Sequence, residues 1–246
     1  MSNADPPTGV WQSTLLRGAA ELGLAPTPEE MEAYRTHLQL LLSHNRRAGL
    51  TSITNPAEIA IKHFLDSLTG LLLHDIAAGE RVADLGSGGG FPGLVLAVAR
   101  PHASYLLVES TKKRGAFLQE AAGALGLNHV EVLSARAEEA GRDPRRRETH
   151  HLVVSRAVAP LPVLLEYGLP LASVGGHLLA YKGADVEPEL ARSQAALDAL
   201  GGRLAATRSL SLPQQMGERV LVLVEKTAPT PPRYPRRPGL PGKRPL

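Results

Sequence analysis

Apolar positions along the chain follow two rhythms, one up to about residue 74 and another beyond it. Residues 10–22 carry apolar side chains at helical spacing. Thr27-Pro28-Glu29-Glu30 reads as a helix start, with Thr27 as cap, Pro28 at the first position and Glu30 closing a capping box. Met31, Tyr34, Leu38 and Leu41 then form one apolar stripe, and that helix is expected to reach about Arg46. Thr54-Asn55-Pro56 opens another, with Ile59, Ile61, Phe64, Leu65, Leu68 and Leu72 facing inward. Residues 1–74 are therefore expected to be a helical unit. His63 and Asp66, three apart on one helix face, read as solvated, and His44 to Arg47 as a polar helix end.

Beyond residue 74 short apolar runs alternate with helical stretches. Strands are expected at 82–85, 105–109, 130–133, 152–155 and 177–181, and the last two at 204–212 and 219–225. Helices are expected after residue 93 and at 112–125, 161–171 and 186–200. Such alternation means a mostly parallel sheet covered on both faces. Ligands on such sheets sit beyond the carboxyl ends of the strands. That directs attention to 86–91, 109–111, 136–138, 155–157 and Lys182.

The first strand runs into RVADLGSGGGFPG at 81–93, a strand, a glycine turn and a helix start. Glycines admit positive φ and let backbone approach a ligand with no Cβ in the way, and the helix N-terminus adds free N–H groups. A phosphate loop requires Gly-Lys-Ser/Thr, and no Lys is present. A dinucleotide loop requires a third glycine where Phe91 stands. The spacing that fits is D-x-G-x-G-x-G, formed by Asp84, Gly86, Gly88 and Gly90, which resembles the first motif of class I S-adenosylmethionine-dependent methyltransferases; a glycine turn without ligand is the alternative. Glu109 stands 23 residues after Gly86 at the tip of the next strand, where an acid can accept from both ribose hydroxyls.

Composition narrows the picture. A chain of 246 residues with 43% hydrophobic content buries one large core, or one core with a small attached unit. There is no cysteine, so no disulfide and no thiolate metal site. The opening MSNADPPTGVWQ has no basic region followed by an apolar stretch, and no apolar run approaches the ~20 residues that span a bilayer, so a cytoplasmic protein is expected. Net charge is +3. Arg233, Arg236, Arg237, Lys243 and Arg244 fall in 227–246, which holds no acid and seven prolines. That tail is expected to be a disordered, basic appendage to a near-neutral body of 75–226 and the helical unit.

Several stretches together resemble the RsmG (GidB) proteins, which methylate guanine N7 in 16S ribosomal RNA. They are NRRAGLTSI at 45–53, KHFLDSL at 62–68, DLGSGGGFPG at 84–93 and ES-x-KKR-x-x-FL from 109 to 118. RAE at 136–138, SRA at 155–157 and KG at 182–183 complete the pattern. His44 stands where the family often has an aromatic, Glu109 where it often has Asp, and the proline-rich tail lies outside the pattern. The resemblance implies a class I, Rossmann-like α/β fold: a seven-stranded, mostly parallel sheet whose last strand is antiparallel, with helices on both faces and an N-terminal helical unit. It implies S-adenosylmethionine as cofactor, 16S ribosomal RNA or a small-subunit assembly intermediate as partner, and a monomer. Asp84, Gly86, Gly88 and Phe91 would line the cofactor site. Glu109, Ser110 and Thr111 would hold the ribose, and Ala137 and Glu138 would reach the adenine. Arg156, with Lys182, would border the methyl-transfer site.

The chemistry of methylation discriminates among acceptors. Carbon-5 methylation of a pyrimidine uses a Cys nucleophile, which is absent. Methylation of an exocyclic amine usually comes with Asn-Pro-Pro-aromatic at the end of strand four, where this chain has Ser155-Arg156-Ala157-Val158. Ribose O-methylation needs a base; Lys182 is a candidate, without the acid that usually accompanies it. Guanine N7 has a lone pair and no proton to lose, so it needs positioning rather than a base. A ribose or other RNA methyltransferase, a cofactor-binding regulatory module without transfer, and a dehydrogenase remain as alternatives.

Overall fold

Thr27 sets the entry to the longest helix as its side chain dictates: its hydroxyl accepts the Glu30 amide while the Glu30 carboxylate accepts the Thr27 amide. In this computed structural model, which describes residues 8–246, α1 (Thr8–Glu21) and α2 (Pro28–Ala48) precede a longer helical stretch. That stretch begins with α3 (Pro56–Ile59), capped by Asn55. It passes through a π-helical turn (Ala60–Leu65), α4 (Asp66–Leu68) and a 3-10 turn (Thr69–Leu72). The apolar spacing at 59–72 predicts one helix; the structure breaks it into three geometries, and π turns frequently mark functional sites. Residues 1–7 lie outside the described residues, including the start of the helical unit and of the opening stretch read for a leader. No described helix is long and apolar enough to cross a membrane.

The strands follow as β1 (Arg81–Leu85), β2 (Ser104–Val108), β3 (Val130–Leu133), β4 (His150–Arg156), β5 (Ala172–Lys182), β6 (Gly202–Ser211) and β7 (Glu218–Lys226). They form one sheet in the order β3-β2-β1-β4-β5-β7-β6. β1 to β5 are parallel, while β7 pairs antiparallel with both β5 and β6. Between them run α5 (Gly93–Ala99), α6 (Lys112–Ala124), α7 (Ala137–Ala140), α8 (Leu161–Gly168), α9 (Glu187–Ala191) and α10 (Gln194–Leu200). The helix expected over 186–200 is thus two short helices, and β5 is twice the expected length.

The two-residue period of each strand divides the core. Val82, Leu107, Leu152, Val154, Leu179 and Leu221 face one cluster, shared with Trp11, Tyr34, Phe64 and Leu38 of the helical unit. Ala83, Leu106, Val153, Leu178, Val222 and Val224 face the other, under α8 and α10. The helical unit therefore has no core separate from the sheet.

The tail is the clearest departure from expectation. Residues 227–246 are ordered against the second cluster: Tyr234 and Pro235 are buried and α11 (Leu240–Lys243) closes the chain. Proline excludes helix and central strand from a segment, but not order. Arg147 donates to the carbonyls of Tyr234 and Thr230, and Arg142 to that of Pro235, so protein donors satisfy the proline-rich backbone.

Candidate active site

The carboxyl ends of β1, β2 and β4 meet at one edge, where Leu85 stands level with Val108 and Ser155. β1 gives way there to Gly86, Gly88 and Gly90, all at positive φ (72°, 52° and 89°). A Cβ at Gly86 would stand 2.4 Å from Cγ2 of Val158, and one at Gly90 2.5 Å from Cδ1 of Leu94. Ala157, beside Val158, is itself left-handed at φ 58°, a conformation that costs an L residue about 1–2 kcal/mol.

Asp84 sits beneath the loop, 1% exposed. Its Oδ2 accepts the Gly93 amide at 2.9 Å, while Oδ1 is buried with no hydrogen-bond partner among the described residues. Burial pushes this carboxyl up to about 7. An orphaned acceptor under a glycine loop fits a ligand that brings a donor, as the amino-acid end of S-adenosylmethionine does. Glu109 follows β2 directly. Its Oε2 accepts from Gly88 N at 3.1 Å and its Oε1 from Thr111 N at 2.7 Å. Its carboxylate therefore lies against the loop, each oxygen retaining a lone pair for a ribose hydroxyl. Ser110 and Thr111 are exposed, and Thr111 precedes α6 without using its hydroxyl as a cap. A pocket of about 210 Å³ continues from this loop, lined by Gly86, Ser110, Ala137, Glu138, Val158 and Tyr167.

Phe91, expected to line the cofactor site, follows the glycines directly. Its ring lies between the imidazoles of His37 and His63, 4.8 Å from each, with Phe64 edge-on. It braces the loop from inside the protein. Nε2 of His37 donates to the Gly89 carbonyl at 2.7 Å, tying α2 to the same loop. Burial lowers His37 to about 4, so the ring is neutral and its one proton is at Nε2. His63 is also lowered to about 4, first by burial and then by Arg156, and Nε2 meets Thr51 Oγ1 at 2.7 Å.

Arg156 ends β4 at this edge, but its guanidinium points into the protein. Nη1 donates to Asp66 Oδ2 at 2.9 Å and to the Lys62 carbonyl at 2.8 Å, and the group lies 5.4 Å from the Phe91 ring centre. Asp66, read from sequence as part of a solvated face, is wholly buried. Its carboxylate also takes both Nε and Nη2 of Arg219, at 2.6 and 2.7 Å. Arg219 donates on to the Lys182 carbonyl. Lys182 is committed too, to the Ala159 carbonyl at 2.7 Å and Glu189 at 2.6 Å.

The structure thus brings together Asp84, Gly86, Gly88, Glu109 and Ser110, with Ala137 and Glu138 across the pocket. It places Arg156 and Lys182 in an ion-pair network beside them. Asp66, Arg219 and His37 escaped sequence reasoning. Arg219 had a signal: an antiparallel strand starts at the edge where its parallel neighbours end, and Val220 pairs with Lys182.

A seven-stranded sheet of this order, with a glycine loop and an acid at the tip of β2, defines a class I methyltransferase. Solved structures share the fold. A putative O-methyltransferase from Klebsiella pneumoniae aligns with a TM-score of 0.57 at 15% identity, over 90% of this chain and 99% of that one. M. jannaschii TYW2 in complex with AdoMet aligns at 0.52 and 15% identity, over 67% of this chain and 76% of that one. The chain belongs to the GidB family, rRNA small subunit methyltransferase G, whose model matches residues 29–217. It is 46% identical over 237 residues to the ribosomal RNA small subunit methyltransferase G of Pelotomaculum thermopropionicum, covering 96% of this chain and 99% of that protein. It is also 46% identical over 241 residues to that of Symbiobacterium thermophilum, covering 96% and 98%. The cofactor is S-adenosylmethionine, and the buried donor-seeking Asp84 and the carboxylate of Glu109 are suited to it.

Proposed function

We propose that the chain transfers a methyl group from S-adenosylmethionine to N7 of a guanine in 16S ribosomal RNA. Methylation of small-subunit ribosomal RNA is the activity of the family to which it belongs; the acceptor atom is our reading. The observation that carries it is the pairing of charged groups at the transfer edge. Arg156 and Arg219 share Asp66, and Lys182 is held by Glu189. His63, lowered to about 4, is too weak a base to draw a proton from a hydroxyl near neutrality. Such an edge suits an acceptor with no proton to lose.

Bound S-adenosylmethionine supplies an electrophilic methyl on a sulfonium. The protein's part is positioning. Gly86, Gly88 and Glu109 hold the ribose side, Ala137 and Glu138 the purine side, and Arg156 fixes the end of β4 against the helical unit. In-line approach within a rigid site supplies much of the rate when no proton moves. We read the protein as a monomer acting in the cytoplasm on the ribosomal RNA or on an assembling small subunit.

The test uses tritiated S-adenosylmethionine and small-subunit RNA, naked and as assembling particles, followed by borohydride reduction and aniline. That treatment cleaves RNA at N7-methylguanine. Label that coincides with cleavage supports the assignment, and labelled RNA that resists cleavage overturns it.

A further inference from the structure

The ordered tail crosses the molecule from one edge of the sheet to the other. It leaves β7 at Lys226, which pairs with Gly202 at the edge opposite the glycine loop. The Lys226 ammonium is fully buried and donates to the Leu169 carbonyl and to Thr230 Oγ1, both at 2.6 Å. Thr230 is fixed again through Leu200 O and the Glu148 carboxylate. Further on, Arg236 donates through Nε and Nη2 to Glu166 of α8, whose carboxylate is buried. Before α11 the segment reaches α7, where the Gly239 amide donates to Glu138 Oε1 at 2.8 Å.

Glu138 is the notable terminus. It is 3% exposed and lines the pocket beside Gly86 and Ser110. Its Oε2 takes no protein donor among the described residues. A buried carboxylate with one oxygen fixed by a backbone amide and the other free is set to receive a donor arriving in the pocket. The exocyclic amine of a purine is such a donor, and a 6-oxo purine has none at that position.

We propose that residues 227–246 form a strap that holds Glu138 toward the pocket, making Gly239 a positioning residue for recognition of the 6-amino group of the cofactor's adenine. The inference rests on this pocket being the adenine end of the cofactor site. The strap is anchored through Lys226, Thr230, Arg142, Arg147 and Arg236 before it reaches Gly239. Its last bond is therefore delivered by a braced backbone. Coupling is reciprocal: if the strap favours adenine, then adenine steadies the strap.

The first test uses the full chain. Deuterium uptake over 236–244 is measured with and without S-adenosylhomocysteine; slower uptake with ligand is expected, and identical uptake overturns the proposal. The second compares affinity for S-adenosylhomocysteine with that for S-inosylhomocysteine, whose purine carries oxygen in place of the amine. The intact chain is expected to prefer the adenine form at least about tenfold, as loss of a hydrogen bond to a buried charged group implies. A chain ending at Arg237 is expected to bind the adenine form at least about fivefold more weakly, the low end of ordinary coupling, and to lose the preference. If truncation weakens both ligands alike, the tail acts only as general structure and the proposal fails; retained preference also overturns it. Absence of preference in the intact chain removes the adenine reading itself, and the strap's role with it.

Discussion

The wholly buried carboxylate of Asp66 accepts from Arg156 at 2.9 Å, across a separation of 90 residues. The bond joins the helical unit to the end of β4, and through Arg219 the same carboxylate reaches β7. Three segments distant in sequence thus share one charge at the carboxyl edge of the sheet. A buried charge so engaged is costly to strand, and its removal leaves two guanidinium groups without their acceptor.

Asp66→Ala is expected to destabilise the fold by about 3–5 kcal/mol, the range for breaking a buried ion pair. Arg156→Ala is expected to cost less, about 1.5–3 kcal/mol for a bond to a charged group, because Asp66 keeps Arg219. Urea unfolding of the two variants checks the order. Equal losses would mean that Arg219 does not sustain the carboxylate alone.

Methyl transfer in Arg156→Ala is expected to fall at least about tenfold, or about 1.4 kcal/mol of transition-state stabilisation. Arg156→Lys is expected to rescue only part of it. A lysine lacks both the second guanidinium nitrogen, which meets His63 Nδ1 at 3.4 Å, and the planar group that lies 5.4 Å from the Phe91 ring centre. Single-turnover rates with saturating cofactor decide this, and wild-type rates in Arg156→Ala would take the residue out of the transfer site.

The sheet was readable because buried parallel strands are short apolar runs, and the glycine loop because its spacing is enforced by backbone conformation. The strand cores at 130–133 and 152–155 and the tip at Glu109 lie where periodicity puts them. Asp66 was not readable, since a polar residue on a helix face looks solvated until the partners packed against it are known. Its KHFLDSL segment was conspicuous, but no local pattern couples position 66 to 156 and 219. The tail misled for the opposite reason. Seven prolines preclude regular structure, yet Arg142 and Arg147, about 90 residues upstream, supply the donors that order it.

Glu109→Ala is expected to weaken S-adenosylmethionine binding by about 1.5–3 kcal/mol, since it removes a charged acceptor and leaves the Gly88 and Thr111 amides unpaired. Calorimetry measures it. Unchanged affinity would separate Glu109 from the cofactor.

Acid stability follows from groups buried in their neutral forms. His37, His63 and His150 are each lowered to about 4 from 6.5, chiefly by burial. Between those values the unfolded chain binds protons that the folded chain does not, so each histidine makes stability fall as pH drops from about 6.5 to 4. Asp84, raised to about 7, acts the other way: the folded chain holds its proton between about 7 and 3.8, so its contribution grows as pH falls. These four groups together contribute about two protons, or roughly 2.7 kcal/mol per pH unit in mid-window, and His74, also lowered by burial, acts in the same direction as the other histidines. His37→Gln is expected to reduce that slope by about one proton, measured as unfolding free energy against pH from 7 to 4. An unaltered slope would show that His37 is not buried neutral.

The tail's exposed cations raise a question separate from the strap. Arg236 is engaged by Glu166, whereas Arg233, Arg237, Lys243 and Arg244 are exposed. They are held on an ordered backbone, and ordered charges can meet RNA phosphates without the entropy cost of folding on binding. Each phosphate neutralised contributes about 0.7 to the slope of log affinity against log salt for single strands and about 0.9 for duplex. Replacing all four by Gln, with Arg236 and Gly239 kept, is therefore expected to reduce the slope by up to about 2.8 on single strands and about 3.6 on duplex, while leaving cofactor affinity unchanged. The measurement is RNA binding over a range of salt concentrations, with cofactor titrations on the same protein. A slope equal to that of the unmodified chain would make these four residues a solubilising surface.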